Sequence, residues 1–181
     1  MPLPRARDYE TVVDAAWDLP LPGLTFDGQR FACPRGVSAE ASAKWLAPGV
    51  GGDSLLSVRL SVGTFVVGEC SRCLCEASLE ISDELMYLYY LGSTDLAECD
   101  FSRLEDFMPV EVDGWGTTLN VADQVWETLL LLLPKRLLCR EDCNGLCPNC
   151  GTNLNESRCS CSAEGSFGTL LSMAGLQMEV K

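Results

Sequence analysis

The sequence predicts an α+β protein: an antiparallel β-sheet, drawn as a meander or a partly closed barrel, with one packed helix and a cysteine-rich C-terminal appendage. Three observations predict it. Leu56, Val58, Leu60 and Val62 alternate with Ser57, Arg59 and Ser61, the period of a half-buried strand. Val121, Val125, Leu129 and Leu132 recur at helical spacing. Six of the eleven cysteines fall in the 23 residues from Cys139 to Cys161.

Taken in order, residues 1–54 are rich in Pro, Gly, Ala and Ser and read as loops and short strands, with a strand-like piece near Leu24, Thr25 and Phe26. Pro48 to Asp53 reads as a loop. The sheet and helix occupy residues 55–134. Gly63 is expected to form a tight turn between two strands, with Phe65 and Val67 sharing one face of the second. Ala77 to Tyr90 reads as a long strand through Leu79, Ile81, Leu85, Tyr87 and Tyr89. Pro109 to Val112 adds another before the Asp113-Gly114 turn. The helix is expected over 121–133, capped by Asn120, with Asp123 suiting its dipole. Pro134 stops it. Residues 135–163 form the cysteine-rich segment and 164–181 a tail.

Charge divides the chain. The net charge is −13, and between Glu76 and Glu127 thirteen acids face one base, Arg103. That region repels phosphates. From Pro134 to Cys161 four bases (Lys135, Arg136, Arg140, Arg158) meet three acids. This segment, with Arg72, is the part able to approach a nucleic acid. No targeting segment is visible at the N-terminus and no run is long enough for a membrane span. A cytoplasmic location is expected, where clustered cysteines are more often metal ligands than disulfides.

The chain has no histidine. Ser-His-Asp and Cys-His nucleophile pairs and mixed cysteine–histidine metal sites are therefore excluded. Paired acids such as Asp83-Glu84 and Glu105-Asp106 read as solvated surface, and no enzyme activity is expected.

Cys147-Pro148-Asn149-Cys150-Gly151 is a metal-knuckle pattern. Two cysteines two residues apart reach one ion from a tight turn, proline pre-sets that turn, and the glycine allows positive φ. Zn2+ suits such thiolates, which makes the appendage zinc-ribbon-like. The candidate ligands are Cys139, Cys143, Cys147, Cys150, Cys159 and Cys161. Spacing does not decide which four bind; the favoured set is Cys143, Cys147 and Cys150 with Cys159 or Cys161. Cys70 and Cys73, in a second Cys-x-x-Cys between two predicted strands, are a further metal pair. Eight cysteines suffice for two ions of four thiolates each. Asn153 and Asn155 read as turn formers. The sharper alternative is that they present amides to RNA or to a protein partner.

Gly68-Glu69-Cys70-Ser71-Arg72-Cys73-Leu74, the acidic middle, Asp113-Gly114 with the helix ending Leu133-Pro134, and Cys143 to Asn155 occur here in one order. Together they resemble the YceD family over roughly Val66 to Cys161. The resemblance implies a role in large-subunit ribosomal RNA processing or accumulation, and so in ribosome assembly. The partners it implies are the precursor RNA, a basic large-subunit ribosomal protein, or both. Arg72, Lys135, Arg136, Arg140 and Arg158 are the candidate contacts. The competing reading is a zinc-thiolate protein that responds to oxidation or acts as a holdase.

Overall fold

A computed structural model describes residues 1–5, 8–46, 55–92 and 106–161. The elements are β1 (Val12–Leu19), β2 (Gly23–Phe26), β3 (Gln29–Ala32), β4 (Val37–Leu46), β5 (Leu55–Glu69), β6 (Glu76–Leu91), β7 (Phe107–Val112) and α1 (Ala122–Leu132). The chain divides into two compact units. The first comprises Met1–Gly68 and Ser78–Lys135; the second comprises Glu69–Ala77 and Arg136–Lys181.

The first unit is built on a seven-stranded, unclosed sheet in the order β1-β4-β5-β3-β2, with β6 pairing β5 and β7. β1 and β4 run antiparallel from Val12↔Lys44 to Leu19↔Val37. β4 and β5 run antiparallel from Val37↔Thr64 to Leu46↔Leu55. β3 meets β5 at Ala32↔Val67, beyond the end of β4. β7 departs from the expected antiparallel scheme: it lies parallel to β6, from Met86↔Phe107 to Leu91↔Val112. The β6–β7 connection is long, so a parallel return is available to it.

Residues 1–54, expected as loops and short strands, supply four of the seven strands. β4 alternates strictly, with Val37, Ala39, Ala41, Ala43 and Trp45 buried and Ser38, Glu40 and Lys44 exposed. Alanine is a weak strand former, so its period of two carries little apolar contrast in the sequence. β2 and β3 form a hairpin across Asp27 and Gly28, whose φ values are 48° and 76°. Two positive φ values in a two-residue loop match the twist of the flanking strands.

Gly63 makes no turn. β5 runs unbroken for 15 residues, and Val62, Thr64 and Val66 are the buried side chains there, while Phe65 and Val67 are only partly buried. A Cβ at Gly63 would stand 3.3 Å from Ser38 Oγ and 3.5 Å from Ser82 Cβ. The glycine marks close approach across the sheet, not chain reversal.

α1 begins one residue later than expected. Val121 is its N-cap residue, with no side-chain cap bond, and Asn120 Oδ1 accepts the Ala122 N–H from just outside the helix at 3.1 Å. Leu133 turns extended (ψ 129°), as the residue before a proline must. Val121, Val125 and Leu129 join Leu56, Leu60 and Tyr87 in one buried cluster. Trp45 meets Trp115 edge-on at 4.7 Å between ring centroids and donates from its indole N–H to the Pro4 carbonyl. Among the described residues no helix is long and apolar enough to cross a membrane. The loop expected at Pro48–Asp53 and the tail at 164–181 lie outside the described residues.

Candidate metal centres

Within the second unit eight cysteines gather into two tetrads. Cys70, Cys73, Cys139 and Cys143 form one; Cys147, Cys150, Cys159 and Cys161 form the other. In each, all four sulfurs lie within 4.8 Å of one another. The favoured grouping is therefore corrected at one residue. Cys143 sits with the Cys70-Cys73 pair, because the chain between Cys143 and Cys147 turns away at Gly145, where φ is 73°. A Cβ on Gly145 would lie 3.1 Å from the Arg72 carbonyl.

Backbone hydrogen bonds build both knuckles alike. The Leu74 N–H reaches the Cys70 carbonyl and the Gly151 N–H reaches the Cys147 carbonyl, each at 2.9 Å. The first knuckle is then tied to the distal chain: Ser71 N–H donates to the Leu137 carbonyl at 2.8 Å and Leu146 N–H to the Arg72 carbonyl at 3.1 Å. The second is closed by Cys147 N–H on the Thr152 carbonyl at 2.8 Å, beside an antiparallel bridge between Leu146 and Asn153.

The donor set fits a soft tetrahedral ion. Cys70 and Cys143 sulfurs are 3.7 Å apart, Cys73 and Cys139 3.5 Å, and Cys147 and Cys159 3.5 Å. An ion with four sulfurs at about 2.3 Å places those sulfurs about 3.8 Å apart. A disulfide needs about 2.05 Å, and the ten described cysteines are free.

Electrostatics point the same way. Burial opposes ionisation of Cys70, but N–H groups of Arg72, Cys139 and Cys73 aimed at its sulfur bring its pKa down to about 6. The Thr152 hydroxyl and N–H bring Cys150 down to about 6. Their neighbours pay: Cys161, facing the Cys150 sulfur, is pushed up to about 11. Cys73 gains one N–H from Cys75 but is raised on balance by burial and by the sulfurs of Cys70, Cys139 and Cys143. Four sulfurs this close cannot all carry charge without a cation among them.

Asn153 and Asn155 are spent within the second unit and do not offer free amides to a partner. Asn155 Oδ1 accepts from Arg140 Nη2 and from the Asn144 N–H, both at 2.7 Å, while its Nδ2 donates to Cys143 Sγ at 3.3 Å and to Asn153 Oδ1 at 2.9 Å. Asn153 Nδ2 donates to Cys75 Sγ at 3.3 Å and to Glu156 at 2.9 Å. Two of the expected contact cations are likewise engaged. Arg72 Nη1 donates to the Cys143 carbonyl at 2.8 Å, and Arg140 also pairs with Asp142 at 3.4 Å. Arg136 and Arg158 in this unit, and Lys135 in the first, are exposed. Sequence reasoning missed the role of Asn155 in holding Cys143. Its signal was only that an asparagine follows the second knuckle.

Residues 58–176 match the family model described as large ribosomal RNA subunit accumulation protein YceD. The chain belongs to the YceD family. An uncharacterised protein of Mycobacterium bovis (strain ATCC BAA-935 / AF2122/97) is 32% identical over 94 residues, 52% of this chain and 42% of that relative. An uncharacterised protein of Mycobacterium leprae (strain TN) is 30% identical over 90 residues, 49% of this chain and 38% of the relative. The chain thus spans less than half the length of these curated relatives. No solved structure matches it. The YceD match covers both tetrads.

Proposed function

We propose that this protein is a non-enzymatic cytoplasmic factor for assembly of the large ribosomal subunit, acting on the processing or accumulation of its RNA. Membership of the YceD family over residues 58–176 carries this reading. In it the tetrads hold Zn2+ as structural ions, making the second unit a zinc-ribbon-like appendage. Four thiolates per ion leave no open position for a substrate, which is the pattern of structural sites.

The charge distribution supports two kinds of partner. In the second unit Arg136 and Arg158 are exposed and not spent on the metal centre in the way Arg72 and Arg140 are. They, with Lys135, are the candidate RNA contacts. In the first unit Glu80 and Glu84 share an exposed face of β6, Glu84 pairing with Arg59 at 3.4 Å, and Asp83 is exposed beside them. Such a face attracts a basic ribosomal protein and repels phosphate. Ultraviolet cross-linking of the tagged protein in growing cells, followed by sequencing of attached RNA, tests the contact. A peak on large-subunit ribosomal RNA or its precursor supports direct binding. No enrichment over an untagged control removes the RNA contact and leaves the protein partner.

A further inference from the structure

We propose that the two tetrads are unequal zinc sites: the Cys70 tetrad retains its ion, and the Cys147 tetrad exchanges its ion with chelators and thiols from solution. The inference rests on the zinc reading above and adds to it a division of roles between the two sites.

Access differs first. In the Cys70 tetrad three of the four residues are sealed: Cys70, Cys73 and Cys143 are 0%, 4% and 2% exposed, and Cys139 is the one exposed member. In the other tetrad Cys147 alone is buried; Cys150 is exposed, and Cys159 and Cys161 are half-buried. An incoming ligand must reach the ion or its sulfurs to displace them, so protein packed around a site controls exchange.

Support differs second. Asn155 Nδ2 donates to Cys143 Sγ, and Arg72 Nη1 donates to the Cys143 carbonyl. Arg140 and the Asn144 N–H fix Asn155 in turn. In the other tetrad the Cys150 sulfur meets the Thr152 hydroxyl at 3.1 Å, two residues along the chain. Cys159 and Cys161 lie on irregular chain, and among the described residues no backbone hydrogen bond anchors residues 158–161.

Topology differs third. Cys70 and Cys143 are 73 positions apart, whereas Cys147 and Cys159 are 12 apart. The first ion therefore makes the longer closure, and closure entropy grows with loop length. The inner tetrad keeps the 70–73 turn against 139–143 while residues 147–161 can release and rebind an ion locally.

The test uses the full-length, zinc-loaded protein. Zinc content is measured first, and release into excess 4-(2-pyridylazo)resorcinol is then followed by absorbance. Two zinc ions per chain are expected, leaving in two equal phases whose rates differ at least ten-fold. Alkylation at the plateau of the fast phase, mapped by mass spectrometry, should mark Cys150, Cys159 and Cys161 and spare Cys70, Cys73 and Cys143. Cys161→Ser should lose the fast phase and keep one ion. A single phase for both ions, or alkylation of Cys70, Cys73 and Cys143 in the fast phase, overturns the inequality while leaving the zinc reading intact. A protein that takes up no zinc overturns both.

Discussion

Leu74 and Gly151 occupy the same position in two turns and share a left-handed backbone, with φ of 61° and 73°. Each follows a Cys-x-x-Cys pair, and the N–H of each closes on the carbonyl of that pair's first cysteine. Glycine enters this region freely, whereas leucine bears a cost of about 1–2 kcal/mol there. Leu74 is also 60% exposed, so little packing offsets that cost. Leu74→Gly should therefore raise stability by up to about 1 kcal/mol. Gly151→Ala should lower it by about 1–2 kcal/mol, through the backbone alone, since nothing lies within 4 Å of the added Cβ. Denaturant unfolding of the zinc-loaded protein measures both. A loss of stability in Leu74→Gly contradicts the equivalence of the two turns.

Asn155 touches the Cys70 tetrad through one hydrogen bond, to Cys143 Sγ, and three others, with Arg140, Asn144 and Asn153, hold its amide in place. Groups that orient metal ligands typically contribute about 10–100-fold in affinity. Asn155→Asp should keep the acceptor for Arg140 and Asn144 but turn a carboxylate toward the Cys143 sulfur. We expect zinc affinity at that site to fall by roughly this range, read by competition with a chromophoric chelator. Unchanged affinity would show that Asn155 serves only the turn.

Tyr87 and Thr128 join β6 to α1. The Thr128 hydroxyl donates to the Gln124 carbonyl at 2.8 Å, which leaves its oxygen to accept from the Tyr87 hydroxyl at 3.0 Å. Thr128 is fully buried. Thr128→Val should cost about 0.5–1.5 kcal/mol, the net contribution of one hydrogen bond, because the Tyr87 hydroxyl keeps the Gln124 carbonyl and the Glu127 carboxylate as partners at 3.3 Å. Tyr87→Phe combined with Thr128→Val should cost less than the sum of the two single changes. Additive costs in urea unfolding would mean the pair does not interact.

Removing the charges of Lys135, Arg136 and Arg158 together should weaken RNA association and flatten its salt dependence. Each phosphate contact on a single strand contributes about 0.7 to the log–log slope, so three lost contacts lower it by about 2. Arg140→Gln should act differently, because Arg140 is held by Asn155 and Asp142. It is expected to disturb metal loading more than the salt slope. Filter-binding titrations at several salt concentrations separate the two; an unchanged slope in the triple variant removes these residues from the RNA contact.

Metal removal should act locally. Chelation is expected to abolish protection of backbone amides at residues 70–75 and 139–155 while β4 and β5 keep theirs, as followed by hydrogen exchange. The sheet has its own core around Leu56, Leu60 and Tyr87. Loss of protection throughout β4 and β5 would mean that the ions also hold the sheet.

Strong apolar contrast made some of the fold legible. The alternating apolar positions from Leu56 to Val62 are buried as expected, and α1 ends at Leu132, with Leu133 extended ahead of Pro134. Where contrast was weak, the pattern was lost. Ala39, Ala41 and Ala43 line the core of β4, but against serines they show little period. Asp27-Gly28 was an available hairpin signal that went unread. Gly63 misled because turn and close strand approach both favour glycine. The cysteines announced a thiolate site by number and spacing. Their partition could not be read that way, because Cys143 joins the 70–73 turn through the Arg72 guanidinium on its carbonyl and the Leu146 N–H on the Arg72 carbonyl, which local spacing does not encode.

The central claim, a role in supplying large-subunit ribosomal RNA, is tested most directly by depleting the protein in its own cells. Mature and precursor RNA of both ribosomal subunits would be measured by hybridisation. We predict that large-subunit RNA falls relative to small-subunit RNA, with recovery on restoring the intact gene but not the Cys73→Ser variant. A ratio that stays constant through complete depletion would contradict it.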